Sequence, residues 1–477
     1  MALDIDYPNR TRDLSSPTAL RTRLRVLPPF KRGPKPNRRT ELGLLIFASF
    51  ITTALYVLAE LGTKSKIPSN IGVFLGVLLS LSLVVHIANR WLVPHAHPVV
   101  LPIAALLNGI GYVVIVRWDP PLGKLQATWA ALGVALYVVT LLVVRRSRDL
   151  DRYRYLLLLL AVALMLSPLL PVLGESVNGA YLWVHIGSTQ FQPIELAKIL
   201  LCIFFASYFT EKKELLSIPT ARLGNRLVID PRPLVPILVA WGFAMLVIAA
   251  ENDIGFAMLI FTVFIAMLWI TTGRFGYLVL GLLLFVVGAV VASHLFYQVH
   301  ERVSVWLDPW SQIFGNGRQL AEGWFALGNG GIGGTGLGLG ISGRYVSAIT
   351  SDMIFAGVGE EMGLLGTSII VIAFLLLVGT GLRIAQSARS DFSRLVATGL
   401  TVMFGFQAFF IMAGILRLLP FTGITLPFVA YGGSSLIANY ILIAILLRIS
   451  DEGAPTEAER ASGISQPGEK AFVPTSG

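Results

Sequence analysis

Apolar residues along this chain fall into long, nearly unbroken runs separated by short polar segments. The runs cover residues 41–62, 69–89, 97–116, 124–144, 154–173, 193–210, 233–250, 254–271, 276–297, 352–380, 394–417 and 432–449. Runs of about 17 to 25 residues suffice to cross a ~30 Å hydrocarbon core as helix, and their continuity argues against barrel strands, which alternate over about ten residues. The pattern predicts an all-α polytopic membrane protein with about twelve transmembrane helices. Two longer segments interrupt it, Gly174 to Gln192 and a large loop from Gln298 to Ser351. Connections of that length inside a compact bundle usually bind something or are disordered. The Trp, Gly and apolar content of the large loop speaks against disorder.

Composition supports the membrane reading: 55% of the 477 residues are hydrophobic and 13% charged, against about a quarter charged in soluble domains. The formal charge of +10 raises the question of nucleic acid, but Lys and Arg concentrate in the N-terminal tail and in alternate loops. Topology accounts for that distribution without a nucleic-acid partner. The tail with Arg10, Arg12, Arg21, Arg23, Arg25, Lys31, Arg32, Lys35, Arg38 and Arg39 is expected in the cytoplasm, as are the loops with Arg145 to Arg154, Lys212 to Arg232, Arg274, Arg383 to Arg394, and Arg448. Lys64 with Lys66, and Arg117 with Lys124, run against the bias in short outer loops. Both termini are then cytoplasmic and the two longer segments lie outside.

The first forty residues are polar, basic and proline-bearing, without the apolar core of a cleavable signal. The chain divides into a basic tail (1–40), a helix pair (41–92), a transmembrane core (93–450) containing the large loop (298–351), and a polar tail (451–477) of disordered composition. The one cysteine, Cys202, lies in an apolar run, so no intrachain disulfide and no multi-cysteine metal site can form.

Ionisable residues in or beside a span are functional candidates, since each costs about 2.5 to 3.5 kcal/mol at a helix centre. Glu195 and Lys198 share a helix face and either lock neighbouring helices as an ion pair or present Lys198 to an anionic head group. Asp352 opens the span after the large loop behind Thr350 and Ser351, which could cap it; it is either a capping carboxylate or a general base at the membrane surface. Glu360 and Glu361 read as hydrogen-bonding partners within the bundle. Surface location in a very short turn accounts for Glu251 and Asp253. Arg302, Arg318, Arg344 and Arg417 are outer cations against the positive-inside bias, suited either to phosphate or to plain solvation. The GNGGIG at Gly328 to Gly333 formally matches a dinucleotide fingerprint, but no strand precedes it; a tightly turning backbone continuing to Gly340 is the better reading. The six histidines show no metal spacing, so metal ligands stay unknown from the residues alone.

Several ordered segments resemble the SEDS family, the shape, elongation, division and sporulation proteins whose branches are RodA and FtsW. They are NGAYLWVHIGSTQFQPIELAK (Asn178 to Lys198), ENDIG (Glu251 to Gly255), LDPW (Leu307 to Trp310), TSDMIFAGVGEEMGLLG (Thr350 to Gly366) and LPFTGITLPFVAYGGSSL (Leu419 to Leu436). The added N-terminal pair and the TSDMIF and RLLPFTG wording resemble the actinobacterial type of RodA more than FtsW. The resemblance implies a peptidoglycan glycosyltransferase of the bacterial plasma membrane that joins lipid II to a glycan carried on undecaprenyl pyrophosphate. It further implies Asp352 as the catalytic aspartate, Glu195 and Lys198 as residues lining a membrane-facing cavity, and a class B penicillin-binding protein as partner. Lys198, Arg302, Arg318, Arg344 and Arg417, with a divalent cation such as Mg2+ or Mn2+, are the expected stabilisers of the departing pyrophosphate. Thr350 and Ser351 replace the family's His-Thr, Ile194 its Ser, and Asn252 and Phe256 stand where Pro and Thr are usual. A flippase for a lipid-linked precursor is the alternative, although transporters tend to place ionisable groups near the midplane within inverted repeats, and no repeat is evident.

Overall fold

A computed structural model describes residues 38–455 apart from residues 172, 178–179, 188, 218–220, 224–225, 229–231 and 252. Most of both tails, together with Asn178 and Asn252, lies outside the described residues. In chain order the helices begin with α1 (Arg39–Lys64), α2 (Ile71–Leu92), α3 (Val100–Trp118), α4 (Pro120–Val143) and α5 (Arg154–Leu166). After a small sheet come α6 (Ile194–Ser217), α7 (Val235–Glu251), α8 (Ile254–Thr272) and α9 (Phe275–Leu295). The chain continues through α10 (Tyr297–Leu307), α11 (Arg318–Gly330), α12 (Ile354–Ser387), α13 (Asp391–Ile415) and α14 (Gly433–Gly453).

A helix coincides with every expected apolar run, and nine helices among the described residues are long and apolar enough to cross a membrane. The exceptions are α5 and α7, which are short, and α6, whose C-terminal turns carry Glu211, Lys212, Lys213 and Glu214. Local signals set several boundaries. Asp119 caps α4 by accepting from Leu122 N at 3.0 Å ahead of a Pro pair, Asp253 caps α8 through Phe256 N at 3.0 Å, and Ser390 caps α13. The centre of the bundle is α13 and α14, whose apolar windows are 72% and 83% buried, whereas α9 is only 6% buried and turns its leucines and valines outward.

The helical fold carries two small additions. Gly174–Val177, Ala180–Ile186 and Thr189–Phe191 (β1 to β3) form an antiparallel sheet in which Val184 pairs with Phe191. Ala221–Leu223 and Arg226–Val228 (β4 and β5) form a hairpin. The expected large loop is largely structured, holding α10, α11 and a 3-10 turn at Ser342–Arg344.

The glycine run after α11 is a backbone strap along α12. A left-handed Gly363 (φ 63°) breaks α12, and the strap takes up hydrogen-bonding groups around that break. Thr335 N and Gly336 N donate to the carbonyls of Glu360 and Glu361 at 2.8 and 3.1 Å, while Leu364 N and Leu365 N donate to Gly331 O and Ile332 O. A Cβ on Gly334 (φ 84°) would lie 2.2 Å from Glu361 O, so only glycine fits. Glu360 and Glu361 act as the sequence suggested. Glu360 accepts from Ile341 N, Ser342 N and Asn329 Nδ2, and Glu361 accepts from Gly338 N at 3.1 Å with Arg117 Nε at 3.4 Å.

The N-terminal pair is tied to the rest by buried polar groups. Glu41 on α1 meets Arg38, His86 Nδ1 at 3.0 Å and Asn89 Nδ2 at 3.2 Å, and Asn89 accepts from Tyr137 on α4.

Candidate active site

The N-termini of α4, α6, α8, α12 and α14 share one end of the bundle, and residues at or just before the starts of α6, α8, α12 and α14, with Leu125 and Trp129 from the second and third turns of α4, line a cavity of about 1310 Å³. Helix N-termini carry roughly half a positive charge each, so this end favours anions. The wall includes Leu125 and Trp129 of α4, Gln192 before α6, Asp253 before α8, Arg302 of α10, Asp352 before α12, and Gly432 and Gly433 at the start of α14.

Asp352 is not the cap of α12. The helix starts at Ile354 without a side-chain cap, and neither Thr350 nor Ser351 caps it. Asp352 instead occupies a turn closed by Ser351 N and Met353 N on Ala348 O, both at 3.1 Å, with Ala348 in the left-handed region (φ 54°). Tyr431 N donates to Thr350 O at 2.8 Å and ties this turn to the segment entering α14. Desolvation pushes the Asp352 carboxyl up to about 7; Arg302 and the Ser351 hydroxyl counteract this, and Asp253 adds to it.

Arg302 is held in place by donating to Thr422 O at 2.6 Å and Phe421 O at 3.4 Å. A Cβ built on Gly423 would lie 3.7 Å from Arg302 Nη2 and 3.9 Å from Asp352 Oδ2, so the two groups flank one point. Burial lowers the guanidinium's proton affinity, opposed by Asp253, Asp352 and Glu301. Asp253 is pushed up to about 6, chiefly by desolvation, against the Phe256 N–H bond and Arg302.

The other expected site residues are placed differently. Glu195 and Lys198 do not line the cavity: they are 1% and 0% exposed and pair at 2.5 Å. Lys198 also donates to Gln407 Oε1 at 2.6 Å and lies 5.4 Å from the Phe256 ring centroid, so no head group reaches its ammonium in this arrangement. Thr425, which does line the cavity, donates to Glu195 at 3.4 Å, making the pair a support beneath the floor. Arg318 lines the cavity but pairs with Glu322 at 2.6 Å. Arg344 is exposed and off the lining. Arg417, also off the lining, donates to Trp306 O at 3.0 Å and Leu307 O at 2.7 Å, joining the end of α10 to the end of α13. The surface reading of Glu251 and Asp253 is corrected: they are 1% and 7% exposed, because the turn between α7 and α8 folds against the bundle. Asp253 is therefore a cavity residue that sequence reasoning passed over; its place at the cap of an apolar run was the available signal.

Among the described residues no group of three or more His, Cys, Asp or Glu side chains could hold a metal. Mg2+ is commonly held by one or two carboxylates plus substrate phosphates rather than by an all-protein cage, and Asp253 and Asp352 on one wall fit that mode.

Residues 121–454 match the FtsW/RodA/SpoVE family, described as a cell cycle protein. The chain is 38% identical over 429 residues to the peptidoglycan glycosyltransferase RodA of Mycobacterium tuberculosis, covering 87% of this chain and 91% of that one. It is 32% identical over 336 residues to a probable peptidoglycan glycosyltransferase FtsW of Geobacter sulfurreducens, covering 70% and 86% respectively. Among solved structures, the fold matches a chain of a peptidoglycan synthase complex described as coordinating polymerization and crosslinking (TM-score 0.60, 24% identity, 75% of this chain and 98% of that one). It also matches the rod shape determining protein RodA of Thermus thermophilus (TM-score 0.54, 22% identity, 77% and 99%). On the match over most of its length and the identity to these relatives, the chain belongs to the SEDS family of multi-pass membrane proteins.

Proposed function

We propose that this chain is a peptidoglycan glycosyltransferase that polymerises lipid II into glycan strands at the outer face of the bacterial plasma membrane. The observation that carries the reading is Asp352, a carboxyl pushed up to about 7 beside Arg302 in a cavity at the helix N-terminal end of a membrane bundle. A base whose pKa lies near the operating pH combines an available carboxylate with enough driving force to accept a proton. The names of the relatives agree with this chemistry.

The Asp352 carboxylate accepts the proton of the acceptor sugar's 4-hydroxyl as that oxygen attacks the anomeric carbon of the lipid-linked glycan. The new glycosidic C–O bond forms as the bond to the diphosphate breaks, the electron pair leaves with the undecaprenyl diphosphate, and the anomeric centre inverts. Arg302 and the converging helix N-termini face the charge that develops on the leaving group. Asp253 and Asp352 are the side chains that would hold a Mg2+ or Mn2+ ion, which would supply charge neutralisation for the diphosphate. The topology reading places both termini in the cytoplasm, and a class B penicillin-binding protein is the proposed crosslinking partner.

General-base help is worth typically 10²- to 10⁴-fold. Purified, folded Asp352→Asn is therefore expected to polymerise lipid II at least a hundredfold more slowly than the parent, by gel analysis of glycan products. Parental rates in that variant would remove the base assignment. A parent that makes no polymer but moves lipid II between leaflets would replace the reading with transport.

A further inference from the structure

A second stretch of the cavity wall is built from aromatic side chains and has no part in the chemistry above. Trp129 of α4 and Tyr431 of the segment entering α14 both line the cavity and are partly exposed to it. Trp129 lies against Gly433: a Cβ there would come within 2.3 Å of indole Cδ2 and Cε2 and 2.6 Å of Nε1. Any larger residue at the start of α14 would displace the ring. The Tyr431 hydroxyl lies close enough to the Trp129 side chain to interact with it, while Tyr431 N holds Thr350 O, two residues before Asp352. The ring is therefore braced by backbone on one side and by a hydroxyl at its edge. The surface it contributes to the cavity is what those contacts leave uncovered.

A large apolar ring kept partly open in a polar cavity is costly unless a ligand covers it, and the glycine that admits it adds a cost in backbone entropy. A pyranose ring supplies the matching chemistry. Its axial C–H bonds form an apolar face with positive partial charge that meets the negative face of an indole, while its hydroxyls remain at the rim for polar groups such as Gln192. The Tyr431 N to Thr350 O bond joins the segment beside Trp129 to the turn that carries Asp352, and Trp129 and Asp352 line the same cavity, so a ring seated here belongs to a saccharide that shares the cavity with the carboxylate.

We propose that Trp129, backed by Gly433 and Tyr431, is a stacking platform for a sugar ring of the lipid-linked substrate. The assignment rests on the polymerase reading but is tested separately from it. Full-length protein is reconstituted with Trp129→Leu or Trp129→Phe, and initial rates are measured against lipid II concentration. Loss of stacking removes binding common to ground and transition states, so Trp129→Leu is expected to raise KM about three- to tenfold with kcat within about twofold, while Trp129→Phe keeps KM near the parent. Titrating a soluble short-chain lipid II should quench part of the tryptophan fluorescence of the parent, and Trp129→Phe, which keeps a flat ring and the fold, should lose that part.

An unchanged KM in folded Trp129→Leu, or undiminished quenching in Trp129→Phe, overturns the platform. If Trp129→Leu does not fold, the Trp129→Phe titration decides alone. A neutral Trp129→Leu beside an inactive Asp352→Asn removes the platform and leaves the polymerase. Parental activity in Asp352→Asn removes the base assignment, whatever Trp129 does.

Discussion

Replacing Arg302 by Met tests whether the guanidinium tunes Asp352 or merely packs beside it. The distances from Gly423 place Arg302 Nη2 and Asp352 Oδ2 no more than about 8 Å apart. A unit charge at that separation contributes roughly 2 kcal/mol at an effective dielectric constant near 20, and water in the open cavity reduces this to about 1.4 kcal/mol, or one pKa unit. Arg302 lowers the Asp352 pKa, so its removal raises it, from about 7 to about 8. The base works only when ionised, so activity is present above the pKa and lost as pH falls through it. In Arg302→Met the loss therefore begins about one unit higher, and the ionised fraction at pH 7 drops from about a half to about a tenth. Initial polymerisation rates from about pH 5.5 to about 9.5 would show the acid limb displaced, with recovery at the alkaline end. Arg302→Lys keeps the charge and should leave the limb near its parental position. An unmoved limb in Arg302→Met, or equal movement in both variants, would refute the electrostatic argument. A uniform fall at every pH would point to the lost bond to Thr422 O and the leaving group instead.

Two further outcomes follow from the packing. Lys198→Met leaves Glu195 buried beside an apolar residue, at a cost of about 3–5 kcal/mol; thermal melts should show a large loss that Glu195→Gln partly restores, while KM for lipid II in the surviving protein stays parental, and a raised KM would mean that Lys198 does reach substrate. Gly334→Ala meets both a left-handed backbone and Glu361 O at 2.2 Å and should cost about 1–3 kcal/mol or more. Gly328→Ala, with open space around it and helical backbone, should be neutral or stabilising; equal melting of the two would show that the strap tolerates rearrangement.

Much of the helical fold was legible because lipid imposes a long apolar period that few other structures share: each run from 41–62 to 432–449 coincides with a helix. Asp352 was legible as a chemical residue because an acid beside a span needs a reason to be there. Its turn was not, since nothing in Thr350–Ser351–Asp352 announces that α12 waits until Ile354 or that Ala348 turns left-handed. The outer arginines were legible as cations but not as ligands. Whether a guanidinium meets substrate depends on which carbonyls or carboxylates capture it first, and Arg417 is taken by Trp306 O and Leu307 O, Arg318 by Glu322. Asp253 was misread for the converse reason: a short turn between spans reads as surface until tertiary packing buries it. Trp129 left no trace in its own run, because only its close approach to Gly433, some three hundred residues away in sequence, marks it.

The placement of the cations changes the electrostatic account of leaving-group departure. Five cations were expected around the diphosphate, yet among the described residues Arg302 and Arg318 are the two arginines on the lining, where four acids, Asp253, Glu301, Glu322 and Asp352, also stand. With all four ionised, such a wall would repel a diphosphate. Arg318 and Glu322 offset each other, and desolvation pushes Asp352 up to about 7, so near neutral pH it carries its charge only part of the time, whereas Asp253, pushed up to about 6, stays mostly ionised there. In the proposed mechanism, substrate entry and base catalysis then make opposite demands on Asp352, since a protonated carboxyl would admit the anion and a carboxylate would start the reaction. A pKa close to the working pH serves both, and the helix N-termini at this end supply positive potential that no titration removes.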